Sequence, residues 1–507
     1  VKAGGALAAW TPAPSAPVAV ALPALLPSRQ ALLHALGWQA AGLLGFALHV
    51  LLVREGGVAL AAPGLAALTL LYARLPLAGL GVYWQVSLYQ NAVLALFAGG
   101  MSPDAFQVLI GSGFMATGLL GAVAATRLLL GADPRDRRAR ALGWLAAAAI
   151  ALAVLYAAYG AVVSTPVSAA IYFRATTGML LMLLIGLDAG RWWDYRAVAF
   201  AFVAAVIPGL LYTAVEIADP EWLYGVAGSV DFMNLKYGPA QYDWPFHSPA
   251  DLVATRTAVF FNVTGSEASL LSFRFGGANI HPISHAYVLA IAGLVALTLR
   301  QGWVALLTGV LLVLAGVKGA LVVFATSLGF HAAWRLLRSP RLLLAGMALF
   351  VPTYATAVIL FGLETGDFHV IGLIGGVQGL LRNPLGHGIG AGGNLSADIG
   401  AGLDLVELQR HGADFALESA VGVLLYQLGI ATLAIGLVFA RTLRAALPAV
   451  PLRRLRPART DILLIGLAMT VVNGLFQEEA YTPYALGTLM LLAGVLAANL
   501  GRGAGRR

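Results

Sequence analysis

The chain has no cysteine among its 507 residues, and only 11% of them are charged. The first absence removes disulfides, thiol chemistry and Cys-ligated metal, while saying little about compartment. The second, set against 60% hydrophobic residues, means that any concentration of charge needs a reason. Also missing are a repeat of fixed period, a domain boundary of the soluble type, and the two related halves that many secondary transporters show. The apolar stretches are continuous rather than alternating, which excludes a closed β-barrel.

What the chain does have is a series of apolar runs, each of roughly the 17–25 residues a helix needs to cross a hydrocarbon core. Their expected limits are 31–52, 57–73, 75–98, 104–130, 141–163, 166–189, 196–216, 284–300, 302–317, 318–336, 342–362, 415–440, 461–480 and 482–500. The reading is an all-α polytopic integral membrane protein of about 14 transmembrane helices, with 12–14 as the range. It divides into an N-terminal tail at 1–30, a bundle at 31–216, a first long loop at 217–283, central helices at 284–362, a second long loop at 363–414, and closing helices at 415–501. The Ala- and Pro-rich start lacks a clear cleavage site and reads as a cytoplasmic tail.

Orientation follows from arginine, because cytoplasmic loops collect Lys and Arg. Arg135, Arg137, Arg138 and Arg140, then Arg191 and Arg196, then Arg335, Arg338 and Arg341, fall on one face when the spans are threaded. Arg441, Arg444, Arg453, Arg454, Arg456 and Arg459, with Arg502, Arg506 and Arg507, fall on the same face, placing both termini in the cytoplasm. The net charge of +8 is therefore a topology signal and not a mark of nucleic-acid binding. Both long loops lie on the opposite face.

The outer loops concentrate the chemistry. In the first, Arg256 and Arg274 are candidate anion contacts, and Arg274 is followed by Gly276 and Gly277, which let backbone approach a ligand. The aromatic residues Trp222, Tyr224, Tyr237, Tyr242 and Trp244 suit an interfacial belt better than a sugar platform. Lys318 opens an apolar run at the same surface, where an ammonium can meet a phosphate. Arg174 lies within a span, and pairing with a carboxylate elsewhere in the bundle is expected of it. In the second loop, RNPLGHGIGAGGN at 382–394 carries Arg382 and His387 on a Gly-rich turn that can offer N–H groups to an oxyanion. Gly388 and Gly390 are its candidate contacts. It lacks the Lys-Ser/Thr of a nucleotide loop, so ATP is not expected. Arg410, His411 and Glu418 follow, Glu418 opening a span either as a partner of the helix dipole or as a general base. Glu478 and Glu479, at the outer turn between the last two spans, read as an exposed cap sooner than as part of an acceptor cleft.

The order RFGGANIHPISHA (274–286), VKGALVVF (317–324), RNPLGHGIG (382–390) and ESAVGVLLYQLGI (418–430) resembles the O-antigen ligase/polymerase superfamily of bacterial membrane enzymes. Asn383, Pro384, Leu385, Gly386, Gly388 and Gly390 match its Asn-Pro-Leu-Gly segment, and Leu428, Gly429 and Ile430 its helix end. The motifs cover roughly 270–435. Lys318 stands where an Arg is usual, and Glu418-Ser419 where ligases carry His-Asn, which leans toward a polymerase. The resemblance implies a GT-C-like glycosyltransferase of the inner membrane that joins glycans carried on undecaprenyl pyrophosphate at the periplasmic face, needing neither metal nor cofactor. It implies Glu418, then His411, as base, with Arg274, Lys318, Arg382 and Arg410 facing the pyrophosphate. Its partners would be the lipid-linked donor, a glycan acceptor, the bilayer and a chain-length regulator. Ligases, O-oligosaccharyltransferases and a lipid-linked oligosaccharide flippase are the alternatives.

Overall fold

The computed structural model describes residues 29–131, 133, 136–241, 246–259, 271–337, 339–396, 415–447 and 459–504. They are helical almost throughout. The first seven helices are α1 (Arg29–Gly56), α2 (Ala61–Arg74), α3 (Pro76–Leu96), α4 (Pro103–Leu130), α5 (Arg137–Val163), α6 (Pro166–Trp192) and α7 (Tyr195–Ala218). The first loop then holds α8 (Pro220–Val226), α9 (Ser229–Gln241), α10 (Pro249–Arg256) and an antiparallel pair, β1 (Thr257–Val259) with β2 (Leu271–Phe273). Next come α11 (Pro282–Thr298), α12 (Gly302–Leu314), α13 (Lys318–Leu337), α14 (Pro340–Thr365) and α15 (Phe368–Arg382). The chain closes with α16 (Ala420–Leu428), α17 (Thr432–Ala446), α18 (Thr460–Asn473) and α19 (Thr488–Ala504).

Local signals in the sequence set the helix starts. Pro103, Pro166 and Pro282 occupy first-turn positions, where their fixed φ is pre-organised and no N–H is missed. The preceding Ser102, Thr165 and His281 side chains accept backbone N–H groups of the first turn. Ser248 and Asp251 form a capping box on α10.

Among the described residues, nine helices are long and apolar enough to cross a membrane. All nine coincide with runs expected from the sequence. Val58–Arg74, Pro282–Thr298, Gly302–Leu314 and Thr460–Asn473 are shorter apolar helices at four further expected positions. At its axial rise, 13-residue α12 spans only about 20 Å, less than a hydrocarbon core. The chain is thus built as a multi-pass membrane protein.

At the centre, α6 lies against α19, where Gly186 and Gly190 leave no room for a side chain against the backbones of Leu491 and Val495. Small residues of this kind bring helices together where lipid removes the hydrophobic drive. In the apolar window of Glu478–Leu500, which runs into α19, 78% of residues are buried, against none for α14, so α14 is peripheral.

Contacts between turns define two ends. At one, Arg191 pairs with Asp136 (2.6 Å) and Asp188 (3.5 Å), Tyr195 Oη lies 2.8 Å from Thr298 Oγ1, and His331 contacts Asp461 at 2.8 Å. Of the arginines used for orientation, Arg191 lies here, and Arg459 joins this end through a bond to the Leu297 carbonyl (3.3 Å). At the other end, Asn91 donates to the Asn279 carbonyl and Ser164 to that of Gly390, so both long loops share one face.

The second long loop differs from expectation in containing an apolar helix, α15. It runs parallel to the segment leading into α16, because Gly372, Gly376 and Gly379 in turn meet Leu417, Gly422 and Tyr426 with no space for a side chain. The aromatic belt divides too. Trp222 is exposed, whereas Tyr224 is fully buried; Tyr242 and Trp244 lie outside the described residues.

Candidate functional site

The site is assembled where the start of α16 meets the turn between α18 and α19. Ser419 Oγ caps α16 by accepting the Gly422 N–H (2.9 Å) and donates to the Leu475 carbonyl (2.7 Å). The Val421 N–H donates to the Gly474 carbonyl at 2.9 Å and the Glu478 N–H to that of Glu418 at 2.8 Å. These bonds stitch 418–421 to 474–478, so three carboxylates from two distant stretches share one place.

Glu418 is held with φ at +55°, a left-handed conformation that a non-glycine residue adopts only where its surroundings impose it. Its carboxylate lies 3.3 Å from Nδ1 of His369, in the first turn of α15, and its carbonyl 3.2 Å from the same nitrogen. A carbonyl only accepts, so Nδ1 carries the hydrogen. About a third of each side chain remains accessible (33% for Glu418, 32% for His369), which leaves the pair within reach of a solute. Burial pushes the Glu418 carboxyl above the usual carboxylate range; nearby His369 pulls it down in part, and Glu479 and Asp367 add to the rise.

Glu478 and Glu479 are half-buried rather than an exposed cap, because their turn folds back as short 3-10 and π segments, Glu478–Tyr481 and Pro483–Gly487. Glu478 acts electrostatically on Tyr172 of α6, and its Oε2 is buried without a hydrogen-bond partner among the described residues. Glu479 acts electrostatically on Tyr287, whose hydroxyl accepts from Asn473 Nδ2 at 2.5 Å. The start of α13 borders the same turn: Gly319 is packed against the Gln477 amide and the Tyr287 hydroxyl, and Lys318 beside it is exposed.

The other sequence candidates fall elsewhere. Arg256 is buried in a network with fully buried Glu216: its Nη1 lies 3.4 Å from Glu216 Oε1 and also meets the Tyr224 hydroxyl, and its Nη2 donates to the Ile280 carbonyl at 3.2 Å. Glu216 further accepts the N–H groups of Gly276 (2.9 Å) and Gly277 (2.7 Å). Arg274 follows β2, with Nη2 donating to the Val259 carbonyl at 3.3 Å. Arg382, exposed, is thirteen residues beyond His369 on α15, about 20 Å along the helix axis.

The Gly-rich turn uses its N–H groups internally. The Gly388 N–H donates to Gln427 (2.9 Å), the His387 N–H to Tyr426 (3.0 Å) and the Ile389 N–H to Tyr156 (3.0 Å). The His387 ring stacks on Tyr426 at 4.1 Å. Positive φ at Gly388 (+91°) and Gly390 (+98°) lets the segment lie directly on Gly160 and Ala169. Arg410 and His411 lie outside the described residues. Arg174, for which a carboxylate partner was expected, makes neither ion pair nor hydrogen bond among the described residues.

His369 escaped sequence reasoning. It stands among apolar residues in a stretch read as loop, and its one available signal was the amphipathic period of 368–382. Among the described residues no group of three or more His, Asp or Glu is arranged to hold a metal ion. Comparison of the chain with protein-family models, with curated proteins and with solved structures finds no match.

Proposed function

We propose that the protein is a membrane glycosyltransferase that polymerises oligosaccharide repeats carried on undecaprenyl pyrophosphate, at the periplasmic face of a bacterial inner membrane. The observation that carries this reading is Glu418: a carboxylate in an imposed backbone conformation, touching His369, partly accessible, and on the face shared by both long loops. The order of motifs from RFGGANIHPISHA to ESAVGVLLYQLGI supports the same reading. The full architecture proposed is 14 crossings, by the nine long apolar helices, the four shorter ones at expected positions and α3, in a GT-C-like arrangement with both termini cytoplasmic.

In this mechanism the Glu418 carboxylate takes the proton from an acceptor sugar hydroxyl as that oxygen attacks the anomeric carbon of the donor. The new C–O bond forms while the bond to the pyrophosphate oxygen breaks, and undecaprenyl pyrophosphate leaves with the electron pair. Fixed cations stabilise the charge developing on that leaving group. Lys318 is supported by its neighbour Gly319, which packs against Gln477 next to Glu478; Arg274, Arg382 and Arg410 complete the proposed set. A single displacement of this kind inverts the anomeric centre. No nucleotide or metal enters these steps.

Reconstitution of the purified protein with undecaprenyl-pyrophosphate-linked repeats tests the proposal. A glycan ladder made by the wild type and lost in Glu418→Gln and Arg274→Ala is expected. A single transfer to a lipid acceptor would point to a ligase instead, and movement of the lipid-linked sugar across the bilayer without product to a flippase.

A further inference from the structure

The helices beside the carboxylates are short, and contacts at their two ends fix by how much. On the loop side, Gly319 packs against the Gln477 amide and the Tyr287 hydroxyl, and Asn473 donates to the same hydroxyl. At the end that holds Arg191, Arg459 donates to the Leu297 carbonyl (3.3 Å) and His331 meets Asp461 at 2.8 Å. Between these two levels α11 advances ten residues, Tyr287 to Leu297; α13 twelve, Gly319 to His331; and α18 twelve, Asp461 to Asn473. At the rise of a helix these are about 15, 18 and 18 Å, so three helices give this wall nearly one height.

The outward side of the wall is α12, held level with α13 by the packing of Gly309 on Phe324. Its Trp303, Leu306, Leu307, Val310, Val313 and Leu314 are exposed at helical spacing, an apolar face turned to lipid. Charge brackets that face: Arg300 precedes it and Lys318 follows it, both exposed. The 13 residues of α12 put about 20 Å between them, where a hydrocarbon core is about 30 Å thick. Elsewhere the molecule has full height, since α4, α5 and α6 have 28, 27 and 27 residues, about 40 Å each. A lone lysine can reach outward through an undisturbed leaflet. The 474–478 turn at the same level cannot, because backbone bonds from Val421 to Gly474 and from Glu478 to Glu418 hold it in place.

We infer that α12 and the start of α13 form a surface for a locally thinned bilayer, with the headgroups of the loop-side leaflet lowered to the level of Lys318 and the 474–478 turn. Thinning is an ordinary response of lipid to an apolar belt shorter than the core. Here the belt is short on one side of the molecule, so the depression is confined to the side where the carboxylates lie. The inference concerns the membrane and stands whether or not the protein joins glycans. Its consequence for turnover rests on the reading above: a lipid-linked substrate reaches the level of Glu418 without its charged head leaving the headgroup layer.

Spin-label depth measures this directly, because the chain has no cysteine of its own. Leu306→Cys, Val310→Cys and Leu314→Cys on α12, with Leu155→Cys on α5 as the full-thickness reference, are labelled with a nitroxide in the full-length protein. Each is reconstituted in dioleoyl phosphatidylcholine bilayers, and collision with oxygen against a water-soluble nickel chelate gives its depth. Leu306 and Val310 should lie no deeper than about 10 Å, Leu314 at the headgroups, and Leu155 several ångströms deeper than any of them. Val313→Cys reads the same level as Leu314 should a label there disturb folding. A label at 314 or 313 well inside the hydrocarbon would mean an undistorted bilayer with Arg300 and Lys318 reaching out of it, and would overturn the inference. So would a label at 306 or 310 as deep as that at 155.

Discussion

The carbonyl of Glu418 accepts the backbone N–H of Glu478 at 2.8 Å, although sixty residues separate them. This bond brings like charges together, since Glu479 raises the Glu418 pKa and Glu418 in turn acts on Glu478. A fold that tolerates such repulsion has placed its carboxylates for a use other than stability.

Replacing Glu418 by Gln should therefore separate function from stability. Loss of a general base is expected to cost on the order of 10²–10⁴ in glycan-forming rate, while the thermal midpoint near pH 7 is held or rises. The sign follows from linkage: the folded carboxyl has a raised pKa, so the folded state holds that proton more tightly than the unfolded one. The resulting stabilisation is fully present below the ordinary carboxylate pKa and is lost as pH climbs through the raised one. Scanning calorimetry from pH 4 to pH 8 should show a decline in the wild type that the Gln variant lacks.

The acidic limb of the pH–rate profile should move in opposite directions in two neighbours. His369 lowers the Glu418 pKa and Glu479 raises it, so His369→Gln is expected to shift the limb to higher pH and Glu479→Gln to lower pH. Initial rates in a set of overlapping buffers would decide; coincident limbs in all three proteins would remove Glu418 from the role of base.

Arg256→Gln leaves Glu216 buried without its cation and is expected to destabilise by about 3–5 kcal/mol. The double variant with Glu216→Gln should regain part of that loss. Denaturation midpoints in detergent around the full cycle give the coupling, and strict additivity would argue against the pair.

Helix packing offers a sharper contrast. Gly376→Leu drives a side chain into the Gly422 backbone, whereas Gly45→Ala meets nothing within 4 Å. The first should cost about 1–3 kcal/mol or abolish folding, and the second should be nearly neutral. Monodispersity and thermal midpoint of the purified variants report both.

Because the chain has no native cysteine, single substitutions map its orientation without background. Ser248→Cys should react with an impermeant maleimide from the periplasm, and Arg138→Cys only after the membrane is permeabilised. The reverse pattern would invert the topology.

The spans were legible because an apolar run of fixed length bounded by Pro and a capping residue needs no tertiary information; α4, α5, α6 and α7 follow their expected limits closely. The arginine clusters were legible in the same way, and the orientation they predict is what the cysteine labelling reads. What escaped depends on partners far away in the chain. Arg256 looked like a free cation until Glu216, forty residues earlier, was found beside it. Gly388 looked like a phosphate cradle until its N–H was found on Gln427. His369 carried no signature of its own, whereas Glu418 was already a candidate in the sequence, to which the fold adds a backbone at φ +55° and the His369 contact. Sequence marks which residues are costly to bury, and the fold decides which of those costs have been met.

The Gly-rich segment lies between elements from opposite ends of the chain, bonded to Tyr156 of α5 through Ile389 and to Gln427 of α16 through Gly388. It therefore has no lodging until both walls stand, and α16 is made more than two hundred residues after α5. During synthesis the outer face must wait, open, while the rest of the bundle is inserted. The closing of that seam is a late event in biogenesis, and a protease added outside during insertion should find 383–396 accessible until α16 arrives.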